Sequence, residues 1–514
     1  MAESEPVAAL ADGTRMRFRQ VAAVAFVIAL SIRLASISTV LPLIHHPDEP
    51  TNEHVVVRVA REPTMSPVFF HYPTLLFYVQ AAVLRTFEVV TRTHVDPAHV
   101  VSSGNARTTA PGYWIAARTV TALLGSGLVA MAAWFAAVVT ESSSIGVVVG
   151  AWAAFSPLLV EDSRYLTPDT YAAFFVMAAL VGAVRIAEGA TWRGYVFTGA
   201  MVGLAAGSKY NTALVSVAVI VAHFGRGFRR GLTDVRLVLA GMVSVVVFFM
   251  ASPFVVFDYA HFRKDFLFEQ RHYERGHLGA EGNSFAFNAL TLWESEHFRL
   301  LGLRLLVFVR ERRVLRATLT LLSFSVAYLA LLSGFKVHFY RNLVPVMAPL
   351  LVLSGLGLSA ALRRLDVPAK RAQIALAAAA VLFTIQPALA ILATIHERRI
   401  DRRAPAELWI ANHLPAGASV VVEAYGPWVD PNRYQVRGTS LYSNVAPRQL
   451  RQWHARYVVL VEEAYGRLYG DPAHHRRELA RYGALLKTHC EVADFRPADG
   501  EPMKIVDLQC RRPK

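Results

Sequence analysis

Long apolar runs, separated by short polar segments, constrain the fold of this chain more than any other feature. Several reach about 17–25 residues, the length of a helix that crosses a hydrocarbon core about 30 Å thick. Only 18% of the 514 residues are charged, whereas a soluble domain carries roughly 25%. The sequence therefore predicts a polytopic α-helical membrane protein with eleven transmembrane helices. We place these spans at residues 20–44, 113–139, 144–160, 170–187, 195–207, 211–224, 237–257, 298–309, 314–333, 343–362 and 372–395.

The distribution of positive charge predicts the topology. The formal net charge is +15, but the basic residues cluster in short loops between the apolar runs. When the weak span at 298–309 is counted, the clusters near residues 15–19, 185–193, 226–236, 310–316 and 363–371 all fall on one side. Cytoplasmic loops carry this excess of Arg and Lys. The charge therefore indicates a multi-pass protein of the plasma (inner) membrane and does not indicate a nucleic-acid partner.

Two regions follow from this topology. Residues 1–396 form the predicted transmembrane domain, whose first outer segment, 45–112, contains two stretches typical of helices lying along the membrane, 52–62 and 74–90. Residues 397–514 form a predicted extracytoplasmic α/β domain, with strands near Val420–Val422 and Tyr457–Val461. The two cysteines, Cys490 and Cys510, are either bridged or free; the sequence leaves both readings open.

The polar groups that suggest chemistry all lie on the predicted outer side. They are Asp48 and Glu49, the segment from Glu161 to Asp169, Lys209, and the segment from His338 to Arg341. Each has an ordinary explanation: a solvated surface, a helix start, a snorkelling lysine or an interfacial anchor. Their occurrence on one side of the membrane favours a functional site over these separate explanations. Transfer of a sugar from a lipid phosphate needs a base for the acceptor and cations for the leaving phosphate.

A metal site is the weaker possibility. His272, Glu274 and His277 have a spacing seen among metal ligands, but they lie in a loop without cysteines. We therefore expect no required cofactor, and a divalent metal stays possible without being indicated.

Several motifs recur in a fixed order. They are Asp48–Glu49, Phe70–Leu75 with Thr74 at a usual proline, Arg118–Leu123, Ser156–Asp169, Gly203–Lys209, and His338–Pro349 with Asn342 at a usual aromatic residue. This order resembles that of the GT-C glycosyltransferases of the protein O-mannosyltransferase type, including the bacterial branch that contains aminoarabinose transferases. The resemblance covers about residues 15–365.

The resemblance implies a GT-C fold and an inverting transfer of a monosaccharide from a polyprenyl-phosphate donor. It implies that Asp48 is the catalytic base and that Glu49 and Asp169 shape the site and bind acceptor or sugar. Lys209 and Arg341 would contact the phosphate. The other predicted substrate-binding residues are His71, Arg118, Arg164 and His338. The acceptor can be a protein, a lipid headgroup or a glycan, and the donor sugar is open between hexose and pentose.

Two rival functions remain at the level of sequence. A polyprenyl-lipid transporter or flippase also places charges at a membrane cavity, but it is expected to show repeated halves and spans broken at corresponding positions. An inactive scaffold that only binds polyprenyl phosphate is the second rival. We find no internal repeat in the sequence, which favours the transferase over the transporter.

Overall fold

Helices make up most of the chain in the computed structural model, which describes residues 12–397, 401–496, 498 and 500–512. Up to residue 397 they are α1 (Asp12–Leu34), α2 (Glu49–Arg61), α3 (Leu75–Thr91), α4 (Pro111–Thr140), α5 (Ser143–Ala154), α6 (Pro157–Asp162), α7 (Asp169–Ala187), α8 (Trp192–Ser208), α9 (Val215–Phe224), α10 (Phe228–Thr233), α11 (Arg236–Ala251), α12 (Phe254–Phe257), α13 (Tyr259–Arg275), α14 (Ser284–Glu296), α15 (Arg312–Ser333), α16 (Val344–Arg364) and α17 (Ala369–Glu397).

Each predicted span contains helical structure, but the first, predicted at 20–44, ends as a helix at Leu34; the residues after it form turns and a short strand, Leu43–Ile44. Among the described residues, five segments are long and apolar enough to cross a bilayer by length and composition: Pro111–Thr140, Asp169–Ala187, Arg312–Ser333, Tyr340–Arg364 and Ala369–His396. Shorter apolar helices include α5 and α11. The structure therefore describes a multi-pass membrane bundle, and the number of eleven crossings stays a prediction. Its core is rich in alanine and valine from α4, α5, α7 and α16, because small side chains let membrane helices approach closely.

The weak span predicted at 298–309 is a 3-10 helix, His297–Phe308. This conformation rises about 2.0 Å per residue rather than the 1.5 Å of an α-helix. Twelve residues therefore cover more depth than their number suggests. The helix packs closely on α16: a Cβ added at Gly357 would lie 2.1 Å from the carbonyl oxygen of Gly302. Glycine at these two positions is what allows the contact.

The first outer segment contains both predicted surface helices, as α2 and α3, and two strands of a small sheet that was not predicted; the third strand lies just before the segment. The strands of the sheet are β1 (Leu43–Ile44), β2 (His99–Ser102) and β3 (Asn105–Arg107), in the antiparallel order β1-β3-β2. Strands of two to four residues are too short to show an alternating pattern. The sheet holds the two ends of the segment together above the bundle.

The C-terminal residues form a five-stranded sheet with helices packed against it. The elements are α18 (Ala404–His413), β4 (Ser419–Glu423), β5 (Gln435–Thr439), α19 (Pro447–Gln452), β6 (Tyr457–Val461), α20 (Glu462–Tyr465), α21 (Arg476–Thr488), β7 (His489–Phe495) and β8 (Met503–Arg511). The strand order is β5-β4-β6-β8-β7; β4 is parallel to β5 and β6, and β8 is antiparallel to β6 and β7. A disulfide joins Cys490 to Cys510 across β7 and β8.

The basic loops meet at one end of the bundle. Arg313 pairs with Glu141 at 2.8 Å and with Glu188 at 3.1 Å. Arg363 pairs with Glu311 at 2.5 Å and donates to the carbonyl oxygen of Thr140. Loops assigned to one side from charge alone are thus in direct contact, so the grouping that the positive-inside rule predicts is present in the fold.

Candidate active site

A cavity of about 470 Å³ lies at the end of the helical bundle opposite Arg313 and Arg363, between the start of the first outer segment and the C-terminal sheet. Five arginines and five carboxylates line it. The lining residues are Ser36, Thr39, Val40, His45, His46, Pro47, Arg118, Leu158, Glu161, Asp162, Arg164, Tyr165, Tyr340, Arg341, Val344, Asp401, Arg402, Arg403, Tyr425, Glu463 and Glu501. So dense a set of charges in a concave site suits recognition of a polar, anionic ligand.

Asp48 and Arg341 form an ion pair at this cavity. Arg341 donates Nη1 to Oδ2 of Asp48, and the side chains are 28% and 25% exposed. The hydroxyl of Tyr72 lies 3.5 Å from the same oxygen. Asp48 follows Pro47 of the cavity wall and precedes α2. The structure therefore brings together, over a separation of 293 residues, the base and one phosphate ligand that the resemblance implies.

Glu49 has a different environment from its neighbour. It is fully buried and accepts two hydrogen bonds from Arg118, from Nε at 2.9 Å and from Nη2 at 2.6 Å. It also accepts one from the backbone N–H of Leu166 at 2.8 Å. A bidentate pair of this kind is geometrically specific. Glu49 thus ties the start of α2 to α4 and to the 161–169 turn, which gives it a positioning role next to the cavity.

Asp169 and Lys209 are also buried and paired. Lys209 donates Nζ to Oδ1 of Asp169 and to Oδ1 of Asn342, the latter at 2.9 Å. Their side chains are 3% and 12% exposed. Lys209 therefore joins α7, the end of α8 and the 3-10 helix Tyr340–Leu343 that carries Arg341. In this arrangement its donors are directed at protein groups, and the phosphate role that the resemblance implies stays a prediction.

Arg164 lies where the cavity meets an apolar groove. It is buried, and its Nη2 donates to Glu161. The groove has a volume of about 510 Å³, runs between α6, α14 and α17, and shares Leu158, Glu161, Arg164 and Tyr340 with the cavity. Beyond these residues its wall includes Pro157, Val160, Ala390 and Ile391. A charged cavity that continues into a membrane-level groove suits a ligand with a polar head and an apolar tail.

Asp162 is a further carboxylate in the cavity wall that the sequence motif contains but does not single out. It accepts a hydrogen bond from the hydroxyl of Thr170 at 2.8 Å. Burial raises the pKa of Asp162 well above its ordinary value, and the negative charge of Asp169 adds to the effect. The wall that contains Arg341 therefore also contains a carboxyl whose charged form is disfavoured.

His71 and His338 lie outside the cavity wall. His71 pairs with Glu269 of α13 at 2.6 Å and lies 3.9 Å from Asp265. His338 stacks on Phe287 of α14, with ring centroids 4.0 Å apart. Both residues hold outer segments in place in this structure. Their assignment to substrate binding stays a prediction that the geometry of the cavity does not support directly.

The three residues that the sequence suggested as metal ligands, His272, Glu274 and His277, do not come together around one point. Rings of His272 and His277 lie 5.0 Å apart, whereas Glu274 accepts a hydrogen bond from Gln270 at 3.2 Å. Within the described ranges, no group of three or more His, Cys, Asp or Glu residues is placed to hold a metal ion. The residues that the sequence suggested as ligands are therefore not arranged as a metal site here.

The C-terminal region contributes cavity residues that were not predicted individually. Tyr425 and Glu463 follow the carboxyl ends of the parallel strands β4 and β6, an edge where α/β sheets commonly bind ligands. Arg403 donates to the carbonyl oxygens of Gly104 at 2.7 Å and Gly426 at 3.0 Å, which joins this edge to the first outer segment. Arg402 and Arg403 carried a signal in the sequence, because a basic pair on the predicted outer side departs from the positive-inside pattern.

Comparison with known proteins agrees with these observations. Residues 114–257 match the family model described as dolichyl-phosphate-mannose-protein mannosyltransferase. The fold is similar to the crystal structure of ArnT from Cupriavidus metallidurans in the apo state, with a TM-score of 0.53, 16% identity, and coverage of 94% of this chain and 97% of that one. The structure of the same protein bound to undecaprenyl phosphate matches with a TM-score of 0.52 and 16% identity, and the match covers 98% of this chain and 100% of that one. No curated protein matches the chain in sequence. The resemblance stated from the sequence is thus confirmed as a resemblance: in sequence to the mannosyltransferase family over residues 114–257, and in fold to ArnT over most of the chain.

Proposed function

We propose that this protein is an inverting glycosyltransferase that moves a monosaccharide from a polyprenyl-phosphate donor to an acceptor hydroxyl outside the cytoplasm. One observation carries the proposal: Arg341, which is paired with Asp48, and Arg164 line one cavity, and that cavity shares part of its wall with a mainly apolar groove. A base, phosphate ligands and a site for a lipid tail are the three parts that this reaction needs. The matched mannosyltransferase family and the ArnT-like fold support it.

The donor fits the cavity and groove in one orientation. Its phosphate would lie between Arg341 and Arg164, because guanidinium groups bind phosphate oxygens through paired hydrogen bonds. Its polyprenyl chain would follow the groove past Val160 and Ile391 into the bilayer. Undecaprenyl phosphate in the similar ArnT structure is a ligand of this chemical class. The sugar would then face Asp48 and the wall contributed by the C-terminal sheet.

In the proposed step, Asp48 takes the proton from the acceptor hydroxyl while that oxygen attacks the anomeric carbon. The bond between this carbon and the phosphate oxygen breaks, and polyprenyl phosphate leaves with the electron pair. Arg341 and Arg164 stabilise the added negative charge, the kind of electrostatic contribution that is large in a water-poor site. A donor phosphate that draws Arg341 away from Asp48 would free the carboxylate to act as a base only when donor is bound.

The orientation in the membrane is part of the proposal. The cavity lies at the end of the bundle opposite the Arg313 and Arg363 clusters, and basic clusters of this kind are cytoplasmic. The Cys490–Cys510 disulfide supports the same orientation, since disulfides persist in oxidising compartments. The active site and the C-terminal region would therefore face outward from a plasma membrane crossed eleven times. The acceptor is a protein, lipid or glycan hydroxyl.

The test is an Asp48→Asn variant, compared with Asp96→Asn as a matched control on the exposed part of the same outer segment. We expect cells with the wild-type protein or the control to add a mass increment of one sugar to an envelope component, and cells with Asp48→Asn to lack it. Purified Asp48→Asn should still bind undecaprenyl phosphate, whereas Arg164→Gln should bind it at least about tenfold more weakly, the loss of one charge-assisted contact. Full transfer by Asp48→Asn would remove the base assignment. Lipid translocation by pure reconstituted protein without transfer would favour the flippase.

A further inference from the structure

A second charged cavity lies at the opposite end of the molecule. It has a volume of about 220 Å³ and is enclosed by the end of α9, by α10 and by the start of α11. Arg236 donates Nη1 to the carbonyl oxygen of Ala190 at 3.0 Å, just beyond the end of α7. That helix of 19 residues begins at Asp169, beside Thr170, which donates to Asp162 of the first cavity, and such a helix is about 28 Å long. The two cavities are therefore separated by most of the bilayer.

Part of this cavity is already neutralised. Asp234 accepts hydrogen bonds from Arg236, from Nε at 2.7 Å and from Nη2 at 2.6 Å. His223 is buried; its Nδ1 lies 2.7 Å from the hydroxyl of Tyr195 and its Nε2 lies 3.0 Å from the carbonyl oxygen of Gly231. Both of its ring nitrogens are therefore engaged. The Asp234–Arg236 pair and His223 line the cavity, but they are already bonded to protein groups and we do not count them as ligands.

Arg226 and Arg230 supply the uncompensated charge. Among the described residues, Arg226 contacts the hydroxyl of Tyr195 at 3.3 Å and Oδ2 of Asp234 at 3.4 Å, and it shares Asp234 with the closer Arg236. Arg230 has no ion-pair partner among the residues that the structure describes, and it is exposed. Since Asp234 is the one carboxylate in this wall, the cavity keeps a positive charge with guanidinium donors still available. A phosphate group is the anion that such donors fit best.

The other side of the same turn is apolar. Phe228 and Leu232 of α10 are 67% and 65% exposed, and their four-residue interval puts them on one face of that helix. Val235, in the link between α10 and α11, is 62% exposed. Arg230 belongs to α10, and Arg226 lies just before it. A segment with an apolar face next to a basic cavity lies naturally at the level of the lipid headgroups.

We infer that this cavity binds the phosphate of an anionic glycerophospholipid, with Arg226 and Arg230 as its ligands and the acyl chains beside Phe228 and Leu232. Basic pockets between membrane helices on the cytoplasmic side are suited to such headgroups. A lipid headgroup and free inorganic phosphate would both offer phosphate oxygens to these two arginines. The apolar face beside the cavity selects a lipid over free phosphate. The site is separate from the proposed transfer reaction and does not depend on it.

The experiment measures lipid binding by the full-length protein in detergent. Short-chain phosphatidylglycerol is titrated against the wild type, against the double variant Arg226→Gln/Arg230→Gln, and against a control, Arg229→Gln/Arg312→Gln. The control removes two exposed arginines from the same end without touching the cavity wall. We expect the double variant to bind at least about tenfold more weakly than the wild type, because each basic contact near an anionic lipid contributes about 1 kcal/mol. The control should bind like the wild type.

Parallel titrations with phosphatidylcholine and with inorganic phosphate identify the source of the phosphate. Weak binding of both supports the anionic lipid. Protection against thermal unfolding by inorganic phosphate as strong as that by phosphatidylglycerol would overturn the lipid assignment. Equal losses in the control and the double variant would overturn the site, because they would show a general effect of surface charge. Thermal unfolding without lipid verifies that all variants are folded.

Discussion

Glu49 and Arg118 are charged residues with almost no access to water: their side chains are 0% and 5% exposed. Removing one partner from such a pair leaves the other as an uncompensated buried charge, which is far more costly than losing an exposed ion pair. Arg118 also donates to the carbonyl oxygen of Ile37 at 3.0 Å. The pair therefore fixes the chain on both sides of Asp48, from the end of the first span to the start of α2.

The first prediction concerns this pair. Glu49→Gln should lower the free energy of unfolding by about 3–5 kcal/mol, because Arg118 then lacks its counter-charge. Thermal unfolding in detergent measures the loss. Glu62→Gln, on the exposed end of the same outer helix, should be close to the wild type. If Glu49→Gln unfolds like the wild type but no longer transfers sugar, Glu49 acts in catalysis and not in positioning.

Sequence reasoning identified these charged residues but could not pair them. It selected Asp48 and Arg341 from their motifs, and the structure places them in contact. It grouped Glu49 with Asp48 because they are adjacent, although the first turn of α2 directs Glu49 into the protein and leaves Asp48 at the cavity. Partners 69 and 293 residues apart in the chain are set by packing of distant helices, which no local pattern contains.

At the scale of elements, α13 is held against the first outer segment largely by aromatic rings and by one histidine. Phe262 of α13 meets Phe70 edge-on at 6.1 Å, and Phe268 meets His71 at 5.4 Å. Burial alone would lower the pKa of His71, but the hydrogen bond to Glu269 and the charges of Glu269 and Asp265 outweigh it. The pKa of His71 therefore lies above its ordinary value.

The second prediction is that this docking weakens as pH rises. A histidine whose pKa is raised on folding contributes stability that is complete below its unfolded pKa of about 6.5 and is lost as pH rises through the folded value. Amide hydrogen exchange in α13, corrected for the intrinsic rate, should be faster at about pH 8 than at about pH 6. In His71→Gln the difference between the two pH values should shrink. An unchanged difference in that variant would contradict the assignment of the effect to His71.

Hydrophobic periodicity predicted most elements because long helices repeat it many times. The outer helices α2 and α3 and the strand β6 agree with the predicted 52–62, 74–90 and Tyr457–Val461 within a few residues. The segment at 298–309 did not reveal its 3-10 form, because apolar composition is the same for both kinds of helix. What distinguishes it is the contact between Gly302 and Gly357, which joins two elements distant in the chain.

The third prediction tests that contact. Gly357→Ala should destabilise the protein by about 1–3 kcal/mol or more, because the added methyl group overlaps the backbone of the 3-10 helix. Gly241→Ala in α11 is the matched control, since a Cβ there meets nothing within 4 Å. It should be neutral or stabilising by up to about 1 kcal/mol, the difference in helix propensity between alanine and glycine. Thermal unfolding in detergent compares the two, and equal stability of both variants would show that the helix moves at no cost.

At the scale of the whole molecule, charge is divided between two ends with different roles. At one end, Arg313 and Arg363 are paired with loop carboxylates, and the basic cavity lined by Arg226 and Arg230 lies nearby. At the other end, arginines from the bundle and from the C-terminal region surround one cavity. The positive-inside rule predicted the first arrangement from loop composition. It could not predict the second, because those arginines converge only when the C-terminal sheet packs on the first outer segment.

The fourth prediction is the orientation that the proposed function requires. Single cysteines replacing Thr64 or Asn432, both exposed on the cavity side, should react with a membrane-impermeant maleimide in intact cells. Arg312→Cys, exposed at the basic end, should react only after the membrane is permeabilised. The wild type is the background, because its two cysteines are bridged and should not react. Labelling of Arg312→Cys alone in intact cells would place the cavity in the cytoplasm, and a polyprenyl-linked donor presented at the outer leaflet could not reach Asp48 and Arg341.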